Sequence, residues 1–185
     1  MAEPAALRRT PAIAASAGLR LLDPSARYIL RADASAIRAA GASLGVDVAQ
    51  APCRASRGGA RAALWLGPDE YLFLAPAAEA AALAATLEEA LEGAPHSLVD
   101  VSHRQTALEV SGAHAAEILN SGCPLDLDSS AFAAGMCTRT VFAKAEIVLW
   151  RTATEVFHLE VWRSYTDYVA RLLGEVAREY LGTGK

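Results

Sequence analysis

The chain has 185 residues, of which 53% are hydrophobic and 21% are charged, so it can fold around a packed core. Its formal net charge of −4 argues against a general nucleic-acid-binding protein, which would ordinarily be basic. The three cysteines contain no CxxC pair and favour a reducing compartment, while glutamates interrupt the alanine-rich run and exclude a membrane span there. We therefore expect a soluble, cytoplasmic protein that binds neither nucleic acid nor membranes.

The first 95 residues are predicted to contain a flexible arm and one lobe. Residues 1–24 have scattered proline and alanine without a sustained period, which predicts the flexible N-terminal arm, and residues 25–95 form the lobe. Its predicted elements are a strand over 27–31, a helix over 35–44, a loop over 46–60, strands over 61–66 and 71–74, and a helix over 78–91. The sequence GPDE at 67–70 predicts a tight turn, so the strands on either side of it should form a hairpin.

A similar pattern restarts in residues 96–185, which are predicted to form a second lobe. The predicted elements are strands over 97–101 and 106–110, a helix over 112–119, strands over 138–143, 146–152 and 156–162, and a final helix from Ser164. Asp167 follows Ser164 as in a capping box, and the apolar stripe of this helix includes Tyr165 and Tyr168. The two units together predict an α+β fold of two ferredoxin-like, split β-α-β lobes with antiparallel sheets.

Nucleotide and metal motifs are missing from the sequence. It contains neither GxGxxG nor GxxxxGK[ST], and Gly58-Gly59 precedes a predicted strand rather than a helix, which fits phosphate binding poorly. The histidines form no HxH or HxxxH pair. Cys123 and Cys137 have no second pair beside them, so we predict that both pack in the core rather than bind zinc.

Candidate catalytic residues are equally scarce. Ser102 and His103 are neighbours, and adjacent side chains on a strand point to opposite faces, so they cannot act together as nucleophile and base. Asp100 is expected to cap a turn. His158 alternates with Glu160 on the polar face of a predicted strand and is interpreted as a solvated or interface histidine. No catalytic, cofactor-binding or metal-binding residue is therefore assigned.

Two other residue types recur on the predicted strands. Arg139, Arg151 and Arg163 are spaced by twelve residues, as in a basic stripe for a carboxylate or a partner, although loosely paired surface arginines are the commoner explanation. Trp65, Trp150 and Trp162 also fall on strands, where tryptophan anchors core patches and interfaces alike.

Six segments together resemble the gamma subunit of heterotetrameric sarcosine oxidase. In the order of that family they are 65–72 (WLGPDEYL), 100–112 (DVSHRQTALEVSG), 119–126 (LNSGCPLD), 137–142 (CTRTVF), 148–151 (VLWR) and 157–165 (FHLEVWRSY). The resemblance implies a bacterial complex of alpha, beta, gamma and delta chains that demethylates sarcosine oxidatively to glycine, with H2O2 and formaldehyde or methylene-tetrahydrofolate. It implies FAD, FMN, NAD, tetrahydrofolate and zinc on the other subunits, and packing of this chain mainly on alpha. An isolated chain would then expose an apolar patch and could self-associate.

The same family is similar in fold to the folate-binding domain of aminomethyltransferases, which offers a comparison of motifs. Asp100, Ser102 and His103 match the DxSH segment of those enzymes. Their GG-x-x-DD turn, which supplies the catalytic aspartate, corresponds here to AKAE at 143–146, without either glycine. Glycine permits turn geometry that alanine and lysine resist, so this resemblance implies that the active turn is lost, although Glu146 keeps a carboxylate near it.

Three functions follow as alternatives. The first is a noncatalytic structural subunit of a sarcosine-oxidase complex. The second is a stand-alone folate-dependent one-carbon transferase of the same fold. The third is a small-molecule or regulatory binding module, which predicts a deep, polar pocket between the lobes; a filled space between them would count against it.

Overall fold

The computed structural model describes residues 18–181, which fold into ten strands and four α-helices. In chain order these are β1 (Leu19–Leu21), β2 (Ser25–Ala32), α1 (Ala34–Ser43), β3 (Ala55–Gly58), β4 (Arg61–Gly67), β5 (Glu70–Pro76), α2 (Ala80–Ala90), β6 (His96–Asp100), β7 (Gln105–Ser111), α3 (Ala115–Asn120), β8 (Cys137–Phe142), β9 (Ala145–Ala153), β10 (Val156–Trp162) and α4 (Thr166–Leu181). Short 3-10 turns, Ala77–Glu79 and Arg163–Tyr165, precede α2 and α4.

The strands form two antiparallel sheets with the same internal order. The first sheet runs β3-β4-β5-β2-β6 and the second runs β8-β9-β10-β7-β1. Helices α1 and α2 pack on one face of the first sheet, and α3 and α4 pack on one face of the second. The predicted α+β fold with antiparallel sheets is therefore confirmed.

The origin of one edge strand distinguishes the two sheets. In the first sheet β6 follows the second helix and pairs with β2. In the second sheet the corresponding edge is occupied by β1, which comes from the start of the chain and pairs with β7 from Leu19↔Val110 to Leu21↔Leu108. The N-terminal segment thus supplies the strand that completes the second lobe.

This pairing moves both predicted lobe boundaries. The strand predicted over 97–101 belongs by sequence to the second lobe, but the structure pairs His96–Asp100 with β2 of the first sheet. Of the arm predicted over 1–24, Leu19–Leu21 is a strand of the second sheet, and residues 1–17 lie outside the described residues. A hydrophobic pattern predicts that a strand exists but does not say which strand it pairs with, and the mostly exposed β6 has almost no pattern at all.

Local sequence explains where the first helix begins and how it packs. Asp33 caps α1, because its Oδ1 accepts hydrogen bonds from the backbone N–H groups of Ser35 and Ala36, both at 2.8 Å. The buried face of the helix includes Ile37 and Gly41. A Cβ at Gly41 would lie 2.2 Å from Cγ2 of Val48, so only glycine allows this close approach.

Two further sequence predictions need correction. The predicted loop over 46–60 contains an edge strand, β3, which turns into β4 through Gly59 at φ +61°. In α4 the buried residues include Val169, Ala170 and Leu173, whereas Tyr165 and Tyr168, predicted in the apolar stripe, are exposed. The helix begins at Thr166, later than predicted, and this leaves both tyrosines near its start.

Four layers result, because the sheets pack on each other through the faces that the helices leave free. Apolar side chains of both sheets fill the layer between them. Those of the first sheet are Ala62, Leu64, Leu72 and Leu74, and those of the second are Cys137, Val148 and Trp150. The order is therefore helices, sheet, sheet, helices, with three separate buried clusters.

A buried ion pair joins the two sheets inside this middle layer. Nε of Arg27 on β2 donates to Oε2 of Glu160 on β10 at 2.6 Å, and the two side chains are 2% and 0% exposed. Arg27 Nη1 also donates to the carbonyl of Ser25 at 2.9 Å, and Oε1 of Glu160 lies 2.8 Å from Nε2 of His158. Arg27 Nη2 is buried without a partner, so the arginine is held mainly by the carboxylate.

The environment of Glu160 favours its ionised form. Burial raises the pKa of this carboxyl, but the hydrogen bond and charge of His158 and those of the Arg27 guanidinium outweigh burial and bring the pKa below its ordinary value. Folding therefore stabilises the carboxylate, and the carboxylate in turn stabilises the folded state. This contribution is present above the ordinary pKa of a glutamate and is lost as the pH falls through the lower folded pKa.

The completion of the second sheet by β1 can be tested at Gly18. A Cβ there would lie 1.9 Å from the carbonyl oxygen of Ser111, and Gly18 has φ +67°. Gly59 has φ +61° with open space around it and is the matched control. We expect Gly59→Ala to lower the free energy of unfolding by about 1 kcal/mol through backbone strain alone. Gly18→Ala should cost about 1–3 kcal/mol more, because β1 must shift. Equal losses in urea denaturation would contradict the close approach.

The ion pair between the sheets predicts a pH-dependent loss of stability in Glu160→Gln. At pH 7 we expect this variant to unfold with about 3–5 kcal/mol less free energy, because Arg27 is left buried without a counter-charge. The difference from the unsubstituted protein should shrink as the pH falls below the ordinary pKa of a glutamate and through the lower folded pKa, where Glu160 itself becomes protonated. Urea denaturation across this pH range measures both effects.

A double variant is the control for that experiment. Arg27→Met combined with Glu160→Met removes both charges and keeps apolar bulk, so it should be more stable than either single substitution. A Glu160→Gln protein as stable as the parent at pH 7 would show that the pair does not hold the sheets together.

Candidate functional site

The DxSH segment forms the turn that carries the chain from the first sheet to the second. Oδ1 of Asp100 accepts the backbone N–H of Ser102 at 2.8 Å, and Oδ2 accepts the hydroxyl of Tyr28 at 3.4 Å. Oγ of Ser102 accepts the backbone N–H of Arg27 at 2.9 Å. Asp100 therefore caps a turn, as predicted, and the Ser102 hydroxyl is committed to the backbone of β2.

Ser102 and His103 do not lie on a strand, contrary to the sequence prediction. Residues 102–104 form a turn and not a strand, so the rule of alternating faces does not apply to them. What withholds Ser102 from nucleophilic chemistry is its bond to Arg27. His103 has a smaller effect, because its electrostatic interaction with Asp100 helps to lower the pKa of that carboxyl.

The pKa of Asp100 reflects this structural role. Burial raises its pKa, but the hydrogen bonds from Ser102 and Tyr28 and the nearby charge of His103 outweigh burial and lower it. A carboxylate held ionised in this way is a good hydrogen-bond acceptor for a turn and a poor general acid near neutral pH.

His158 lies in the middle layer rather than on a solvated face. Its Nε2 is 2.8 Å from Glu160, and its ring centroid is 5.7 Å from that of Trp150. The guanidinium of Arg57 covers the same tryptophan at 5.1 Å. The alternation of His158 and Glu160 does mark one polar face, as predicted, but that face is covered by the other sheet.

The three regularly spaced arginines do not form a basic stripe. Arg151 is buried and donates to the carbonyls of Phe132 at 2.8 Å and Leu127 at 3.1 Å, so it holds the loop before β8. Arg139 pairs with Glu70 at 2.6 Å. Arg163 lies in the 3-10 turn before α4. The interval of twelve places the arginines in three different environments.

The cysteines behave as core residues, in agreement with the sequence prediction. Cys123 and Cys137 are buried, and burial raises the pKa of the Cys137 thiol to about 12. Within residues 18–181 no group of three or more His, Cys, Asp or Glu side chains is placed to hold a metal ion. None of the described helices combines the length and apolar character needed to span a membrane.

The turn at 143–146, which was compared with the GG-x-x-DD turn of aminomethyltransferases, has a left-handed residue. Phe142 pairs with Ala145, so the loop consists of Ala143 and Lys144. Ala143 has φ +51°, a conformation expected of glycine, and its N–H donates to the carbonyl of Gly122 at 2.8 Å. The turn therefore forms with alanine at the left-handed position, and the resistance of alanine to this geometry is present as a cost in backbone strain.

Glu146, just after that turn, borders a cleft at the open end of the middle layer. The residues around the cleft are Ile29, Leu66, Leu72, Arg104, Gln105, Arg139, Glu146, Ile147, Val148 and Trp162. Its lining includes apolar side chains and the buried Gln105, and its rim carries charges from Arg104, Arg139 and Glu146. Arg139 lies 3.9 Å from Glu146, and the guanidinium of Arg104 covers the ring of Trp162 at 4.8 Å.

The size of the cleft limits what it can hold. It encloses about 50 Å³, whereas ordinary small-molecule pockets have volumes of about 300–1,000 Å³. Packed side chains such as Val148 and Trp150 fill the rest of the space between the sheets. This geometry counts against a small-molecule binding module that uses the interlobe space.

Sequence reasoning missed Arg104 and Gln105, which follow directly after the DxSH segment. Gln105 is buried at the first position of β7 and faces the cleft. The signal in the sequence for a buried Gln105 was its alternation with Ala107 along the strand. It carries little weight in sequence, because a strand end is usually solvated.

The strain at Ala143 predicts a stabilising substitution. Ala143→Gly should raise the free energy of unfolding by about 0.5–1 kcal/mol, because glycine adopts φ near +51° without steric cost. The control is Ala153→Gly, at an exposed position with ordinary φ, which should be destabilising by about 0.5–1 kcal/mol. Thermal unfolding of both variants measures the difference. A loss of stability in Ala143→Gly would contradict the left-handed turn.

Comparison with known sequences supports the resemblance drawn from the six segments. The sequence model of the sarcosine oxidase, gamma subunit family matches residues 30–179. The sarcosine oxidase subunit gamma of Corynebacterium sp. (strain P-1) is 37% identical over 119 residues, which are 64% of this chain. The matched region spans 58% of the length of that relative.

Comparison with solved structures agrees. A chain of the heterotetrameric sarcosine oxidase from Corynebacterium sp. U-96, in complex with pyrrole 2-carboxylate, superimposes with a TM-score of 0.81 at 30% identity, covering 88% of this chain and 84% of that one. The glycine cleavage system aminomethyltransferase T from Bartonella henselae shares the fold, with a TM-score of 0.63 at 15% identity over 85% of this chain and 46% of that one. Because the family match extends over most of its length, the chain belongs to the sarcosine oxidase gamma subunit family.

Proposed function

We propose that this chain is the gamma subunit of a heterotetrameric sarcosine oxidase and serves there as a noncatalytic structural subunit. The observation that carries the proposal is the match to the gamma subunit family over residues 30–179. The agreement of fold with a chain of a heterotetrameric sarcosine oxidase supports it. The complex would demethylate sarcosine oxidatively to glycine, with H2O2 and formaldehyde or methylene-tetrahydrofolate as further products.

The geometry of the middle layer supports a noncatalytic role. The side chains most suggestive of chemistry hold the fold instead: Glu160 binds Arg27, and Ser102 binds the backbone of β2. FAD, FMN, NAD, tetrahydrofolate and zinc would then belong to the other subunits. A cleft of about 50 Å³ is too small for any of these organic cofactors, which agrees with that assignment. Three free cysteines agree with a cytoplasmic location.

The partner in this proposal is mainly the alpha subunit, with beta and delta in the same complex. Exposed aromatic side chains support a surface made for a partner, since tryptophan and tyrosine are enriched at interfaces. Trp162, Tyr165 and Tyr168 are such residues, and they lie within seven positions of one another. Self-association would be one way for the isolated chain to cover this surface.

The alternative is a stand-alone folate-dependent one-carbon transferase. It would need the carboxylate of Glu146 to be available for chemistry. Glu146 is 54% exposed, but it borders only a cleft of about 50 Å³, which is too small for a folate. The structural subunit is therefore the better interpretation of the geometry.

Co-expression tests the proposed assembly. A tagged copy of this chain is produced together with the alpha, beta and delta chains of a sarcosine oxidase from the same organism, and the complex is purified through the tag. We expect the four chains to co-purify in equal amounts and to elute as one species with sarcosine oxidase activity. A tagged aminomethyltransferase domain of similar fold is the control and should recover none of the other chains.

A free, monomeric chain in the presence of those partners would overturn the proposal. Titration of the isolated chain with tetrahydrofolate then separates the alternative. A calorimetric or fluorescence signal at millimolar ligand would favour the transferase, and no signal is expected from a structural subunit.

A further inference from the structure

Three of the five large apolar side chains that are exposed among residues 18–181 adjoin the cleft, and the other two follow one of them along the chain. These residues, from 38% to 49% exposed, are Val99, Val141, Trp162, Tyr165 and Tyr168. Val99 pairs with Ile29 of the cleft wall, Val141 pairs with Glu146, and Trp162 is itself part of the rim. Tyr165 and Tyr168 follow Trp162 along the chain and contact each other, with ring centroids 6.5 Å apart. We call these five residues and the cleft rim the open-end surface.

Strand register explains why this surface is apolar. Gln105 lies opposite Trp162, and Glu146 lies opposite Val141, so these residues form the last row of the second sheet. The row before it contains Glu160 and Val148, which are buried. The middle layer therefore continues to the end of the sheet, where its final row borders the cleft and leaves Val141 and Trp162 exposed.

Arg104 on the rim, and Arg163 next to it, lack a carboxylate partner in the part of the chain that the structure describes. Among residues 18–181, no carboxylate lies within ion-pair distance of Arg104 or Arg163, although both are exposed. The two are linked by a hydrogen bond from the Arg163 N–H to the Arg104 carbonyl, 2.8 Å long. Arg139, in contrast, is compensated by Glu70 and Glu146.

A buried polar atom in the cleft also lacks a partner. Gln105 is 7% exposed and borders the cleft, and its Oε1 is buried with no hydrogen-bond donor near it. Leaving such an acceptor unpaired costs about 1–3 kcal/mol. An occupant of the cleft that brings an N–H group would recover this cost.

We infer that the open-end surface docks an extended segment of a partner subunit, and this inference rests on the proposed function. One apolar side chain of the segment fills the cleft, and an N–H group of the segment donates to Oε1 of Gln105. A carboxylate on the segment pairs with Arg104 and Arg163. The cleft, Oε1 of Gln105 and the two arginines are thus matched by an apolar side chain, an amide N–H and a carboxylate. A peptide segment can carry all three groups.

The alternatives fit the same features less well. A small molecule in a cleft of about 50 Å³ would leave Val99, Tyr165 and Tyr168 exposed. A second copy of this chain, paired through the same surface about a two-fold axis, would bring the arginines of both copies together. Trp, Tyr and Arg are also the residues that dominate binding energy at the centre of protein interfaces.

Competition within the assembled complex tests the inference. The complex is assembled with a fluorescently labelled copy of this chain, which is then displaced by unlabelled variants of the full chain. Trp162→Ala should need about thirtyfold more protein for half displacement, because a central hot spot contributes about 2 kcal/mol or more. Arg104→Gln and Arg163→Gln should each need about tenfold more and should weaken the dependence on salt. Arg38→Gln and Arg171→Gln, at exposed arginines on α1 and α4, are matched controls and should displace like the parent.

Thermal unfolding of each variant separates loss of docking from loss of folding. If the unsubstituted chain never enters the complex, the proposed function fails. If it enters and the rim variants displace it as well as the parent does, only the docking inference fails.

Cross-linking tests the chemistry of the occupant. Val141→Cys, carrying a photo-activated cross-linker and assembled into the complex, should attach to a partner segment with an acidic residue within a few positions of the attachment site. The unsubstituted chain treated with the same reagent is the control for reaction at Cys53. Attachment to a second copy of this chain, or to a segment without an acidic residue, would overturn the inference.

Discussion

The Arg27–Glu160 ion pair sets the relative position of the two sheets. Both charges are fully desolvated, so any sliding of one sheet on the other would leave a buried charge without its partner. Side chains two residues apart on a strand share a face, so the pair also positions the next inward-facing residue of each strand. Two residues beyond Arg27 is Ile29, and two residues beyond Glu160 is Trp162. Ile29 and Trp162 form opposite walls of the cleft. The cleft therefore opens directly beside the ion pair.

The same arginine organises the connection between the sheets. Its backbone N–H donates to Oγ of Ser102, and its carbonyl accepts the N–H of Val101 at 2.9 Å. Arg104 and Gln105 come directly after this turn and reach the rim and the floor of the cleft. The DxSH segment thus has a structural meaning: it holds the crossing from the first sheet to the second, and its geometry aims the next two side chains at the open-end surface.

The sequence predicted most helices and strands, but it predicted poorly what packs against them. Both outcomes have one physical reason. Alternation along a strand shows that one face is polar, but it does not show what covers that face. The alternation of His158 and Glu160 predicts a polar face on this basis, although Glu160 is buried between the sheets and the His158 side chain is only 14% exposed. The two edge strands show the same limit, because partner choice for β6 depends on contacts more than sixty residues away in sequence. The walls of the cleft come from strands of different sheets. No local pattern in the sequence could therefore have predicted it.

The fold shared with an aminomethyltransferase does not decide what this chain does, since 15% identity shows architecture alone. The deciding feature is how the space between the sheets is used. Apolar packing and the ion pair occupy it up to the row that contains Glu160 and Val148. Only the last row of the second sheet remains open to a ligand or partner, through the cleft and the exposed Val141 and Trp162. Chemistry that excludes water needs an enclosed site, whereas recognition of a protein needs an exposed one with aromatic and arginine side chains. The apolar packing and the ion pair that fix the fold therefore leave the open-end surface as the place for the proposed docking.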